Sequence, residues 1–450
     1  MQMVAPGEWS PGSWRERPAL QQPDYPDRAA LDGVLEELRR LPPLVTSWEI
    51  VQLRSQLADA AAGGRFVLQG GDCAERFADC RSPYITNTLK VLIQMSLVLV
   101  VGAQRPVIRI GRFAGQYAKP RSSSEETRDG LSLPSYRGDN INHAEFTAGG
   151  RTPDPQLLLR GYERAALTLN YIRALVKGGF ADLHHPEYFD LDWVQASPLA
   201  DEYQRMVRTI SESLRFMENV LGVRAGESDR IDFFTAHEAL HLAYEEAQTR
   251  RVPRRPGFFN LTTHFPWIGL RTNNPEAAHV EYLRGIENPI GIKVDGSATR
   301  EQVAGWLAAL DPHRRPGRLT LIHRFGAGRI AEALPLLIEA VREEGGHVVW
   351  ICDPMHGNTQ FTAGGIKTRR FEDIYSEVEQ AFEIHRAMGQ QLGGVHVELT
   401  GENVTECTGG ARGPSEADLV RAYESQVDPR LNYEQALELA FLIARKMKNG

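Results

Sequence analysis

Short, β-branched runs recur along most of this chain, each followed by a stretch that places apolar residues at three- and four-residue spacings. Amphipathic segments between such runs carry the chain back to the same side, and that is how a parallel sheet is built. Eight runs stand out: 65–70 (RFVLQG), 106–110 (PVIRI), 231–236 (IDFFTA), 257–262 (GFFNLT), 289–294 (PIGIKV), 318–324 (RLTLIHR), 347–352 (HVVWIC) and 395–400 (VHVELT). Eight parallel strands with helical returns predict an α/β protein, a closed (β/α)8 TIM barrel. An open doubly wound sheet is the competing architecture, but no GxGxxG follows the first run and no P-loop lysine motif occurs.

The remaining segments attach to that frame. Residues 300–310, 328–344 and 371–389 have helical periodicity between the later runs. Residues 1–60, rich in Pro and Trp, predict an N-terminal extension, with the barrel over 61–450. From residue 110 to residue 231 there are about 120 residues, which predicts a helical insertion between strands 2 and 3. Helical patterns there run over 154–177 and 199–221, and the inserted segment is placed at about 178–228. A length of 450 residues exceeds the ~150-residue domain prior, but barrels with extensions reach this size as one unit.

Charge narrows the partners. Lys plus Arg total 51 against 58 Asp plus Glu, a formal net charge of −7, which argues against a nucleic-acid or membrane-surface binder. The longest apolar stretch, 91–103, falls short of the ~20 residues of a membrane span, so no transmembrane helix is expected. The N-terminal residues lack a basic segment followed by an apolar one, and four cysteines are too few for a disulfide framework, which together predict a cytoplasmic setting. Cys80, Cys352 and Cys407 are read as core or incidental thiols.

Chemistry is expected at the strand ends, because barrel enzymes carry it on their C-terminal face. All eight runs turn polar there: Asp72 and Cys73 after the first; Arg112, Lys119 and Arg121 after the second; His237 and Glu238 after the third; His264 and Arg271 after the fourth. Lys293, Arg324, the pair Asp353 and His356, and Glu398 follow the rest. A lone Cys or His is ordinarily a core or surface group. Cys73, His356 and Glu398, however, come from strands one, seven and eight, which become neighbours once the barrel closes. Thiolate, imidazole and carboxylate together suit a divalent transition metal, and Asp428 in DPRLN supplies a fourth donor. Arg112, Lys119, Arg121, Arg271, Lys293 and Arg324 fall on the same face of an acidic protein, which predicts a pocket for phosphates or carboxylates.

The motifs PALQQPDYP, QGGDCAE, RFAGQYAKPRS, YRGDNIN, HEAL, CDPMHGNT, HVELTGENVTEC and DPRLN make the chain resemble, over nearly its whole length, the type II (plant-like) 3-deoxy-D-arabino-heptulosonate 7-phosphate (DAHP) synthases. The resemblance implies a metal-dependent barrel enzyme that joins phosphoenolpyruvate to erythrose 4-phosphate, the first step of the shikimate pathway. It implies manganese or cobalt as the metal, with zinc the less usual choice, a homo-oligomer (dimer or tetramer), and, in some members, a chorismate mutase partner. The family's metal ligands fall on Cys73, His356, Glu398 and Asp428. Its phosphoenolpyruvate contacts fall on Arg112, Arg271, Lys293 and Arg324, with Glu238 also in the active site. Its aldose-phosphate contacts fall on Lys119, Arg121 and Ser122, and Trp267 and His264 match further pocket positions. Arg112, Lys293, His356 and Glu238 are the expected catalytic groups.

The chain also departs from the family pattern. Leu270 in WIGLRT stands where the family usually has Glu, VDGSAT follows Lys293, and FGAGRI follows Arg324. The first alternative is therefore a paralogue in secondary metabolism acting on another aldehyde, and the second a non-catalytic regulatory homologue. A metallohydrolase on the same barrel would leave the six cations without a task.

Overall fold

A computed structural model describes residues 8–178, 200–205, 207–208, 212 and 232–448. Eight parallel strands form a closed barrel: β1 (Phe66–Gly71), β2 (Val107–Arg112), β3 (Phe233–Glu238), β4 (Phe265–Ile268), β5 (Ile290–Val294), β6 (Leu319–His323), β7 (Val349–Cys352) and β8 (Gly394–Glu398). First and last strands meet: Gly71 of β1 pairs with Glu398 of β8 on one side and with Arg112 of β2 on the other.

The fourth strand is not where the sequence pattern put it. Of residues 257–262, Phe259–Asn260 forms a two-residue antiparallel pairing with Thr249–Arg250 and Phe258 a single parallel bridge to Ile286, none of it in the barrel. The barrel strand is the four-residue FPWI, whose Pro266 and shortness weaken its strand signal. It closes the barrel because Ala236–Glu238 pairs with Phe265–Trp267 and because Trp267 lies opposite Gly291. A Cβ on Gly291 would lie 2.8 Å from the Trp267 Cβ, so only glycine leaves room for the indole.

Helices cover the barrel. Those described are α1 (Arg28–Arg40), α2 (Ser47–Ala61), α3 (Ser82–Ala103), α4 (Gln156–Lys177), α5 (Leu242–Ala247), α6 (Ala278–Arg284), α7 (Arg300–Leu310), α8 (Ile330–Glu343), α9 (Phe371–Ala387) and α10 (Tyr433–Lys448), together with shorter turns. Helix α2 starts at a capping box, in which the Thr46 side chain accepts from the Glu49 N–H and the Glu49 carboxylate accepts from the Thr46 N–H. Its Leu53, Leu57 and Ala60 close the barrel floor, packing with the inward-facing Val67, Ile108, Phe265 and Val349. Residues 178–228, where the inserted segment was expected, lie almost wholly outside the described residues.

Helix α3 corrects the expectation drawn from 91–103. At 22 residues it is long and apolar enough to cross a membrane by length and composition. Its apolarity has a use inside the protein, since Leu89, Leu92, Ile93 and Val98 are buried in the main core with α10 residues such as Leu437 and Ala440.

Candidate active site

Side chains alternate between the two faces of a strand, so the positions just above the apolar floor decide what lines the rim. Two residues beyond Ile110 and Ala236 on the inward faces of β2 and β3 come Arg112 and Glu238. Trp267 follows Phe265, Lys293 follows Gly291, and Glu398 follows His396. All but the half-buried Glu238 are at most 5 % exposed.

Closure of β1 on β8 brings the expected ligands together. One donor atom each from Cys73, Glu398 and Asp428 lies within 4.8 Å of the other two. His356 Nε2 stands 3.1 Å from Glu398 Oε1 and 4.0 Å from Asp428 Oδ2. The His356 ring is held from behind, its Nδ1 lying 2.7 Å from Asp353 Oδ2, which leaves Nε2 facing the cluster. Asp428 is fixed by its loop: Arg430 donates to Asp72 Oδ1 at 2.6 Å and to Glu406 Oε1 at 2.8 Å, and Ser425 Oγ donates to the Asp428 carbonyl at 2.7 Å.

This donor set fits a divalent cation. The Lys119 ammonium lies 2.6 Å from Cys73 Sγ, 2.7 Å from Asp428 Oδ2 and 3.8 Å from Glu398 Oε1, so the position already attracts positive charge from the chain itself. Burial and the charge of Glu398 push the Cys73 thiol up. Burial opposes ionisation of Glu398, but His356, Lys119, Arg369 and Arg112 hold its carboxyl well below the usual range. Asp428 is likewise held low against burial, chiefly by Lys119. Imidazole, thiol and two carboxylates are a soft, mixed set suited to a transition metal.

The cations form the adjoining wall. Arg112 donates to Glu398 Oε1 at 3.0 Å and to the Cys73 carbonyl at 3.1 Å, with its guanidinium 5.3 Å from the Trp267 ring centroid. Lys293 pairs with Asp353 and lies 3.1 Å from His396 Nε2; burial pulls its ammonium down to about 8, against the opposing charge of Asp353. Arg324 donates to the His356 carbonyl at 3.1 Å. Glu238 faces them from β3 with Oε1 unpartnered among the described residues, and burial raises its carboxyl against Lys119, Lys293 and Arg112. Its carboxylate fills the space beside Gly269, where a Cβ would lie 1.9 Å from Oε1.

Other expected residues stand apart from the buried cluster. Arg271 is exposed and donates to Ser122 Oγ at 2.7 Å, so these two meet at the outer rim. Leu270 beside it is half-buried. Arg121 pairs with Glu126 at 3.2 Å, toward the hairpin of Glu125–Arg128 with Leu131–Pro134. His264 is a correction: it precedes β4 instead of following it, so it lies at the opposite mouth, accepting from the Thr235 N–H at 2.9 Å with Nε2 3.7 Å from Glu49 of α2.

Three contributors escaped the sequence analysis. His396, two residues before Glu398 and hence on the same face of β8, contacts both Arg112 and Lys293; that period-two signal was readable. Arg369, fully buried, pairs with Glu398 Oε2 at 2.8 Å, and Lys367 pairs with Asp428. Both come from a hairpin, Thr359–Phe361 with Lys367–Arg369, whose fold over the rim leaves no periodic mark.

A closed parallel barrel with its buried polar cluster and bank of cations at the C-terminal rim has the architecture of a barrel enzyme. Residues 9–444 match the model of the class-II DAHP synthetase family, and the chain belongs to that family. It is similar to phospho-2-dehydro-3-deoxyheptonate aldolase of Neurospora crassa, 48 % identical over 456 residues, covering 98 % of this chain and 94 % of that protein. The protein of the same name from Streptomyces coelicolor is 47 % identical over 437 residues, covering 97 % of each. Membership makes the chain a transferase of the DAHP synthase type.

Proposed function

We propose that this chain condenses phosphoenolpyruvate with erythrose 4-phosphate and water to give DAHP and inorganic phosphate, with a divalent metal held by Cys73, His356, Glu398 and Asp428. The observation that carries the reading is the contact of a thiol, an imidazole and two carboxylates with Arg112, Lys119 and Lys293 in one buried layer. When bound, the metal supplies Lewis acidity toward the aldehyde oxygen.

The chain's own groups do the rest. Arg112, Arg271, Lys293 and Arg324 serve the phosphate and carboxylate of phosphoenolpyruvate, Arg271 from the outer rim, while Lys119 in the buried layer and Arg121 and Ser122 above it take the aldose phosphate. Cancelling the repulsion of two anions in contact and fixing their orientation is a large share of the rate. Carbon 3 of phosphoenolpyruvate bonds to the aldehyde carbon, positive character develops at carbon 2, water adds there, and the hemiketal breaks to release phosphate. Lys293, pulled down to about 8, gives a proton to the new alkoxide. Glu238, with a free oxygen on the opposite wall, takes one from the entering water. Trp267 closes the site below and excludes solvent.

Phosphate release from phosphoenolpyruvate, followed with and without erythrose 4-phosphate after chelation and after adding back manganese or cobalt, tests the reading. Release that depends on both the aldehyde and the metal supports it; release independent of the aldehyde overturns it.

A shifted acceptor is the second reading, and Leu270 favours it: an apolar side chain adjoins the rim cation Arg271, whose guanidinium reaches Ser122. An aldehyde panel on L270E tests it, and unchanged preference counts against it. A cytoplasmic location and the place at the head of the shikimate pathway belong to the same proposal. So do assembly as a dimer or tetramer and pairing with chorismate mutase.

A further inference from the structure

A second cluster of ligating side chains lies on the other side of the barrel wall from the rim. On β6 and β7 Ile322 and Ile351 face the barrel interior, so the next residues, His323 and Cys352, face outward. There they meet α9, whose Glu377 and His385 lie eight residues apart and so share one helix face. One donor atom each from His323, Cys352 and Glu377 lies within 4.8 Å of the other two, and all three residues are 0 % exposed. The His385 ring, 1 % exposed, packs edge-on to His323 with centroids 5.6 Å apart.

Among the described residues, none of the four ring nitrogens of His323 and His385 has a hydrogen-bond partner. Fully buried imidazoles ordinarily hydrogen-bond to protein or to ordered water, so two together without a partner mark a missing group. Burial keeps both imidazoles in their neutral, ligating form, His323 held well below its usual value and His385 at about 4. The Glu377 carboxylate accepts from the Phe325 N–H through Oε1 and from Asn358 Nδ2 through Oε2, each at 2.8 Å, and the Gly326 N–H is directed at it as well, so about one of its four lone-pair sites remains.

We propose that His323, Cys352 and Glu377, with His385 as fourth donor, bind a structural divalent metal of the zinc type, separate from the rim site. Thiolate, imidazole and carboxylate are all zinc donors, and four of them with no open position make a closed, structural type of site. Donor atoms around a tetrahedral zinc ion are roughly 3.3–3.8 Å apart, so the three clustered donors have to draw together and the His385 ring has to turn toward them. On binding, the Cys352 thiol proton, and that of Glu377 where present, pass to solvent, so uptake releases one to two protons. The ion would tie β6 and β7 to α9 and stiffen the turn that carries His356, through Glu377 and Asn358.

The test is zinc content per chain, measured by elemental analysis on protein produced in zinc-supplemented medium and passed through a weak chelator. C73S removes a rim donor and leaves the second cluster intact, so it should retain one zinc, whereas C73S/C352S should retain none. Because a serine at a buried cysteine can impair folding, C73S/H323Q provides an independent check and should hold zinc at least tenfold more weakly than C73S. In cobalt-substituted C73S, sulfur-to-cobalt charge-transfer absorption should appear and vanish on adding C352S. A folded C73S protein without zinc, or one whose zinc is indifferent to both Cys352 and His323, overturns the proposal.

Discussion

The Lys119 ammonium lies 2.6 Å from the Cys73 sulfur, with the Asp428 carboxylate 2.7 Å from the same nitrogen. An internal cation thus stands among three of the four proposed metal ligands, where burial disfavours its charge but Asp428, Cys73 and Glu398 raise its pKa. On the proposed function a divalent ion would have to displace it, and the freed ammonium would then face the aldose phosphate.

Lys119→Met removes that competitor. Divalent-metal affinity, measured by titration of the chelator-stripped protein, should rise roughly tenfold, or about 1.4 kcal/mol. The KM for erythrose 4-phosphate should rise as well. Weaker metal binding in the variant would show that Lys119 supports the ion.

Lys293 sets an alkaline limit. Burial pulls its ammonium down to about 8 against the opposing charge of Asp353, which favours the protonated form below that pH and the neutral form above it. The kcat/KM for phosphoenolpyruvate, which reports the free enzyme, should fall as pH rises through about 8. Lys293→Arg, charged throughout, should move that limb upward even though its rate is lower. A limb that stays in place assigns the titration elsewhere.

Arg369 is fully buried against Glu398 Oε2 at 2.8 Å. Arg369→Met leaves a buried carboxylate short of a partner, and removal of one member of such a pair costs roughly 3–5 kcal/mol. Denaturant unfolding should show that loss, and addition of manganese should recover part of it by compensating Glu398.

Much of this architecture can be read from residues alone, and the failures have physical causes. Strands β1, β2, β3 and β5 to β8 announce themselves as apolar runs because both of their faces are buried. The fourth fails because FPWI is short and contains proline, while GFFNLT has strand composition without a barrel partner. The position of His264 goes with that strand, since its side of the barrel depends on whether it precedes or follows the strand. Cys73, His356, Glu398 and Asp428 could be grouped because closure is a topological consequence of eight strands. Arg369 and Lys367 could not, because they arrive on a hairpin whose fold over the rim is set by tertiary contacts.

The barrel floor offers a stability test unconnected with chemistry. Leu57 of α2 is 0 % exposed among the inward-facing side chains. Leu57→Ala should destabilise the chain by about 2–5 kcal/mol in denaturant unfolding. A loss under about 0.5 kcal/mol, the range of surface changes, would mean that α2 does not close the floor in solution.

The central claim, that Cys73 joins His356, Glu398 and Asp428 on one ion, is tested most directly by X-ray absorption of the manganese-loaded protein. One sulfur neighbour per manganese is predicted, lost in Cys73→Ser and kept in Cys352→Ser. Manganese surrounded by oxygen and nitrogen alone in the unsubstituted protein would contradict it.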